Sequence, residues 1–405
     1  MSDSYEPPVP GPVTVNPIRS RADWQAMRDA CELDAGAFHG DIAAATIHWF
    51  NPEQGSWLTR EADDVWRGWT TAGAKQASCD SWCPWNQALD ESRAPFYRWF
   101  VGGQTNAAFN EVDRHVLAGH GDEVAFYYEG DRWDPTLNKQ RGGPVQSATL
   151  TRRELLLESV IAARALSDLG LSCGDCIAIN MPNILEQIIW TEAAKRLGII
   201  YTPVFGGFSD KTLSDRIENA GARVVITADG ASRNAEVVGF KEAYTDPALD
   251  RFISLHSALA ILETAAIAAD TRAAVCGHVG EALAGEITVT RADVMREVGV
   301  VLAARRLDPS LTAELRAVLA ESLSASPPRV GKVIVVRHVG LADMPWSEGR
   351  DVWAHELLAA AETRVLQAAA IDDRATLAAL PDRELVAALW QSVPPLPVAA
   401  DFPLF

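Results

Sequence analysis

The 405-residue chain is 48% hydrophobic and 22% charged, and 54 acidic against 36 basic side chains leave it at −18 at pH 7. That balance excludes a broad nucleic-acid or anionic-membrane surface, since both need a basic patch that releases counterions. No apolar run reaches the roughly 18 residues of a membrane span, and "MSDSYEPPVPGPVTVNP" has neither the basic nor the apolar region of a secretory signal, so the expected location is the cytoplasm.

The length implies roughly two to three domains. Residues 1–20 read as a flexible, proline-rich arm. Nine of the 13 tryptophans fall between Trp24 and Trp133. The stretch "WLTREADDVWRGWTTAGAKQASCDSWCPWNQ" holds no sustained period, so residues 21–115 are predicted to form an irregular, Trp-rich layer over another domain.

The pattern changes at Thr151. "TRRELLLESVIAARALSDLG" opens with a capping box, Thr151 and Glu154, and sets Leu155, Ala162, Leu166 and Leu169 on one helical face; Gly170 is the stop. "CIAINM" fits a strand, "PNILEQIIWTEAAKRLG" a helix with Pro182 at its start, "IIYTPVF" a strand, "SDKTLSDRIENAG" a helix and "ARVVITAD" a strand. Strands alternating with helices over short connections predict an α/β fold, a parallel sheet flanked by helices. This unit is placed at 116–249 plus 329–405. Between them, residues 250–328 lose the strand pattern: "FISLHSALAILETAAIAA", "RADVMREVGVVLAARRL" and "DPSLTAELRAVLAESLSA" read as amphipathic helices of an insertion, the last capped by Asp308 with Pro309 at its first position. "KVIVVRHVG" resumes the sheet, residues 355–391 are Ala- and Leu-rich and helical, and "PLPVAADFPLF" reads as a final strand.

Chemistry is expected where strands end. In an open parallel sheet, ligands bind beyond the carboxyl ends of the strands. "TPVFGGFSDKTLSDRI" brings a strand to Gly206 and Gly207 and opens a helix capped by Ser209; paired glycines permit close backbone approach, and a helix N-terminus offers N–H groups to an anion. A tight turn with no ligand explains the same residues. In "ITADGASRNAEVVGFK", Arg233 can meet a phosphate or stand as a solvated surface arginine. Cys173 and Cys176 form a C-x-x-C with no second pair or His pair to complete a zinc set, and reduced thiols flanking a turn account for them. Asp175 reads as a turn residue. The eight histidines show no metal-like pairing, and no G-x-S-x-G, Walker loop or dinucleotide glycine motif occurs.

Several stretches resemble the AMP-forming acyl-CoA synthetases of the acetyl-CoA synthetase type: "NEVDRHVLAGHGDEVAFYYEGD", "LTRRELLLESVIAARALSDLGLSCGDCIAINMPN", "RLGIIYTPVFGGFSDKTLSDRI", "ARVVITADGASR", "KVIVVRHVG" and "EGRDVWAHELL", in the family's order. The resemblance implies a two-step ligase using ATP, coenzyme A and Mg²⁺, with a small carboxylate as substrate. It implies that Gly206, Gly207, Arg233, Asn234 and Ala235 lie on the coenzyme side. Glu236 stands where the family has a second arginine. In that family the stretch resembling "ADFPLF" runs into a Ser/Thr/Gly-rich phosphate loop ending Pro-Lys-Gly. The resemblance therefore implies the N-terminal part of a synthetase, inactive alone, with no catalytic or metal-binding residue among these 405 and the remainder of the synthetase as its partner. The Trp-rich layer and the insertion look most like the ligase portion of a propionyl-CoA synthase, a fusion that activates 3-hydroxypropionate. Two alternatives stay open, a non-catalytic truncated synthetase serving as a partner or regulator of a full synthetase and an unrelated doubly wound nucleotide-binding protein; a homo-oligomer stays open as well.

Overall fold

The computed structural model describes residues 18–71, 75–206, 208–233, 236–325 and 329–400. Most of the proposed arm, residues 1–17, lies outside these, as do residues 401–405 of the expected last strand. The fold is mixed α/β.

The five-stranded sheet comprises β1 (Cys176–Asn180), β2 (Ile200–Pro203), β3 (Val224–Ala228), β4 (Lys332–Val336) and β5 (Asp351–Trp353). Its order is β2-β1-β3-β4-β5 and every pairing is parallel. Helices α1 (Arg152–Asp168), α2 (Leu185–Leu197), α3 (Asp210–Ala220) and α4 (Ala354–Ala369) accompany it. Successive strand residues point to opposite faces, and the core divides accordingly. Ile177, Ile179, Ile226 and Ile334 pack with α1, α2 and α4, while Ala178, Val225, Val333 and Val335 pack with Leu213 and Ile217 of α3. Both sides of the Thr151–Glu154 capping box form, and Gly170 takes a positive φ of 80° after α1, which a side chain would strain.

Several expectations are corrected. The Trp-rich layer is not irregular: after two helices, Arg21–Leu33 and Ala35–Thr46, strands Trp49–Asn51, Ser56–Arg60, Trp66–Thr70 and Gln76–Cys79 form an antiparallel sheet. Its alternation was hidden because tryptophans serve both as core and as cover. Trp57 is fully buried and stacks on Phe109 with centroids 4.6 Å apart, while Trp66 and Trp82 meet edge-on at 5.1 Å. Residues 250–328 are not wholly helical. Phe252–Ser254 and Thr288–Thr290 pair as a small antiparallel ribbon, the first expected helix, read over residues 252–269, is confined to Leu255–Thr264, and a helix not anticipated, Ala269–Ala282, follows it. With Arg291–Ala304 and Pro309–Ser324 these helices enclose their own core, including Leu262, Val275, Val279, Val298 and Leu319. Asp308 caps the last of them as read. Helix α2 begins at Leu185, three residues after Pro182. Of the expected final strand, Val398–Ala399 pairs antiparallel with Gln104–Thr105.

His48, beside the Trp-rich sheet, has its Nδ1 shut off from solvent without a partner. Burial, then the charges of Arg114 and His115, lower its pKa from 6.5 to about 3. Below about pH 6.5 the unfolded chain takes up a proton that folded His48 refuses, so stability falls as pH falls through that window. The expected loss between pH 7 and pH 5 is up to about 2 kcal/mol from this group. Urea unfolding of the wild type and of His48→Leu at both pH values checks it: the variant should show the smaller difference, and equal differences would remove His48 as the cause.

Candidate functional site

The strand order makes its own crevice. From β1 the chain moves outward to β2 and then returns to the far side of β1 as β3, so the order reverses between β1 and β3. Connections leaving the two strands there part in opposite directions and leave a gap beyond their carboxyl ends. A cavity of about 190 Å³ occupies that region. Met181, Pro182, Asn183 and Ile184 line it after β1, Phe205 and Gly206 after β2, Ala231, Ser232 and Arg233 after β3, and His338 after β4. Tyr128, Glu129, Asp131, Arg132 and Gln146 close it from the ribbon formed by Val124–Glu129 and Ser147–Thr151 and from the adjoining turn.

Two of the five expected site residues can be placed, and both line this cavity: Gly206 and Arg233. Gly207, Asn234 and Ala235 lie outside the described residues. Arg233 is half-buried at the end of the short strand Ala231–Arg233, and its register partner across the hairpin is Glu236. Gly206 also stands against a side chain of the fold. A Cβ built there would lie 2.1 Å from Phe240 Cζ, so the missing side chain makes room for a buried phenyl ring beside the cavity. Gly206→Ala is expected to cost about 1–3 kcal/mol by overpacking, read as a lower midpoint in urea; an unchanged midpoint would mean that Phe240 moves freely.

Helix α3 does not offer its N-terminus to the cavity. Ser209 caps it, accepting from the Thr212 N–H, as read, and none of Phe208–Thr212 lines the space. The start of α2 does: residues 181–184 form the wall, and its N-cap, Ile184, provides no side-chain cap. An uncapped helix start brings unsatisfied N–H groups and the positive end of the helix dipole toward the space. Arg132 and Arg233 form no ion pair among the described residues. Tyr128 is pushed above the usual phenol value by burial and by the Asp131 and Glu186 charges, so it remains a neutral hydroxyl donor at pH 7. Two guanidinium groups without an ion pair among the described residues, a phenol, an imidazole and a helix start suit an anion such as a phosphate. Glu129 and Asp131 set one edge against it.

Tyr128, Arg132, His338 and the α2 start were not singled out in the sequence. Pro182, read as a helix start directly after a strand, is a local signal for the last; the others arrive through a ribbon and a loop with no local periodicity. A wider cleft of about 530 Å³ lies against Tyr201, Pro203 and Val398–Ala400, but its cation, Lys195, is already paired with Glu111 and Glu192. Asp175 behaves as the turn residue expected, accepting from the Ser172 N–H at 2.8 Å and from Arg223 at 2.9 Å. The six cysteines are free thiols, with Cys173 exposed. Among the described residues no helix is long and apolar enough to cross a membrane.

Comparison with known proteins adds a relation to this geometry. Residues 114–296 match the family of AMP-binding enzymes, and residues 69–110 match the acetyl-coenzyme A synthetase N-terminus. An acetyl-coenzyme A synthetase of Mycobacterium tuberculosis is 47% identical over 171 residues, 42% of this chain and 25% of that protein. One from Methylobacillus flagellatus is 40% identical over 227 residues, 56% of this chain and 28% of its own length. The matches thus span about a quarter of the curated relatives. The expected resemblance holds at this level: residues 69–110 and 114–296 are similar to an acetyl-CoA synthetase N-terminus and to AMP-binding enzymes.

Proposed function

We propose that this chain is the N-terminal part of an AMP-forming short-chain acyl-CoA synthetase and that the switch-point cavity receives phosphate groups of coenzyme A. In such a ligase a carboxylate oxygen attacks the α-phosphorus of ATP and pyrophosphate leaves; the coenzyme sulfur then attacks the acyl carbon and AMP leaves. Mg²⁺ would neutralise the triphosphate in the first step. The observation that carries the reading is the meeting of Arg233, Arg132 and the uncapped α2 start at the carboxyl ends of β1 and β3. The narrower proposal, supported by the Trp-rich layer and the inserted helices, is the 3-hydroxypropionate-activating ligase of a propionyl-CoA synthase. The acyl pocket and the phosphate loop are assigned to no residue of this chain. The 405-residue polypeptide is accordingly proposed to be inactive in ATP–pyrophosphate exchange.

Titration calorimetry of coenzyme A against the 405-residue chain tests the site. Arg233→Ala is expected to weaken binding about tenfold or more, the loss of a charge-assisted phosphate contact. Glu236→Arg, which replaces a carboxylate facing Arg233 with a cation, should tighten binding about three- to tenfold at low salt, with the gain shrinking as salt rises. Wild-type affinity in Arg233→Ala would overturn the assignment.

A further inference from the structure

One wall of the cavity depends on a residue that never reaches it. Asp229 follows β3 and is fully buried. Its Oδ1 accepts from the N–H groups of Gly230 at 2.7 Å, His338 at 2.8 Å and Val339 at 3.0 Å. Its Oδ2 accepts from Gly340 at 2.7 Å and Leu341 at 3.1 Å. The Asp229 N–H donates to Val336 O at 2.8 Å, and its carbonyl accepts from Phe240 at 3.0 Å. Strand β4 ends at Val336, so the N–H groups that follow have no ladder partner; buried donors must find an acceptor, and one carboxylate supplies it for four of them.

That single group therefore joins two segments that diverge from adjacent strands. One begins the hairpin carrying Arg233, and the other carries His338 to the same cavity. Five inward N–H dipoles also spread the carboxylate charge, so it can sit behind an anion site without repelling the anion at full strength.

We infer that Asp229 is a positioning residue for the anion site, fixing the distance between Arg233 and His338 by gathering the backbone of Gly230 and of residues 338–341. The inference rests on the coenzyme reading above. Its test is amide hydrogen exchange on the wild-type chain, with and without saturating coenzyme A. The five amides bonded to Asp229 should slow at least tenfold, while those of the Ser56–Thr70 strand pair change less than twofold. Coenzyme binding with no selective slowing at these five amides would overturn the inference alone; absence of coenzyme binding by the wild type would overturn the coenzyme reading and the inference with it. In a folded Asp229→Asn variant, coenzyme affinity should fall at least tenfold, and adding Arg233→Ala should cost little more. Full additivity of the two substitutions would show that Asp229 does not act through Arg233.

Discussion

Replacing Arg196 with methionine is expected to cost about 3–5 kcal/mol, enough to unfold a domain at the low end of ordinary stability. Arg196 and Asp113 are both fully buried and face each other as a fork, with Nη1 to Oδ1 at 3.1 Å and Nη2 to Oδ2 at 2.5 Å. Trp390 Nε1 donates to the same Oδ1 at 2.7 Å, and Arg196 Nη1 also reaches Val393 O at 3.4 Å. The pair thus ties α2 to the segment around Phe109 and to the helix Asp382–Trp390, three stretches far apart in sequence. Two ions taken out of water repay their desolvation only through each other. Removing the guanidinium leaves a buried carboxylate with one donor. Urea unfolding should register the loss, and Arg196→Met combined with Asp113→Leu should recover most of it by removing both charges. A single-variant loss below about 1 kcal/mol would contradict this account of the core.

The second large effect concerns Lys241→Met, expected to cost about 3 kcal/mol. Lys241 Nζ is fully buried, bonded to Asp246 at 2.8 and 3.0 Å, to Asp351 at 2.9 Å and to the carbonyl of Pro345. Arg350 binds both carboxylates from the other side, at 2.9 Å and 2.7 Å. Burial acts to raise both acids. It prevails over Lys241 and Arg350 at Asp246, while at Asp351 hydrogen bonds from Arg350, the Ser347 N–H and Lys241 win and hold the carboxyl low. The variant keeps the aliphatic stem but leaves two carboxylates to one guanidinium. Because Lys241 directly follows Phe240, which packs against Gly206, loosening here should reach the cavity wall. The denaturation midpoint should fall at pH 7, and less at a pH low enough to protonate Asp246. A midpoint equal to wild type at pH 7 would refute the role given to this cluster.

The parallel sheet was legible because its signals are local. β1, β3 and β4 are continuous apolar runs, as strands covered on both faces must be, and each helix start at Thr151, Ser209 and Asp308 announces itself by a side chain that caps it. Legibility fails where the determinant is tertiary. The Trp-rich sheet is held by Trp57 on Phe109 and by Gly68, whose absent Cβ would sit 1.9 Å from Trp57 O, and no window of sequence contains such a contact. The ribbon of Phe252–Ser254 and Thr288–Thr290 joins residues more than thirty positions apart. At the site, Arg233 was found because it lies just after a strand end. Arg132 and His338 were not, since a two-stranded ribbon and the Asp229 cage bring them there. At Gly206 a glycine signals close approach, but the sequence does not name Phe240 as the ring that approaches it.

The most direct test of the cavity assignment is a crystal structure of the 405-residue chain with coenzyme A bound. The expected result is phosphate density within hydrogen-bonding distance of Arg233, in the space bounded by Ile184, Gly206 and His338. A coenzyme bound elsewhere with that cavity empty would contradict the account.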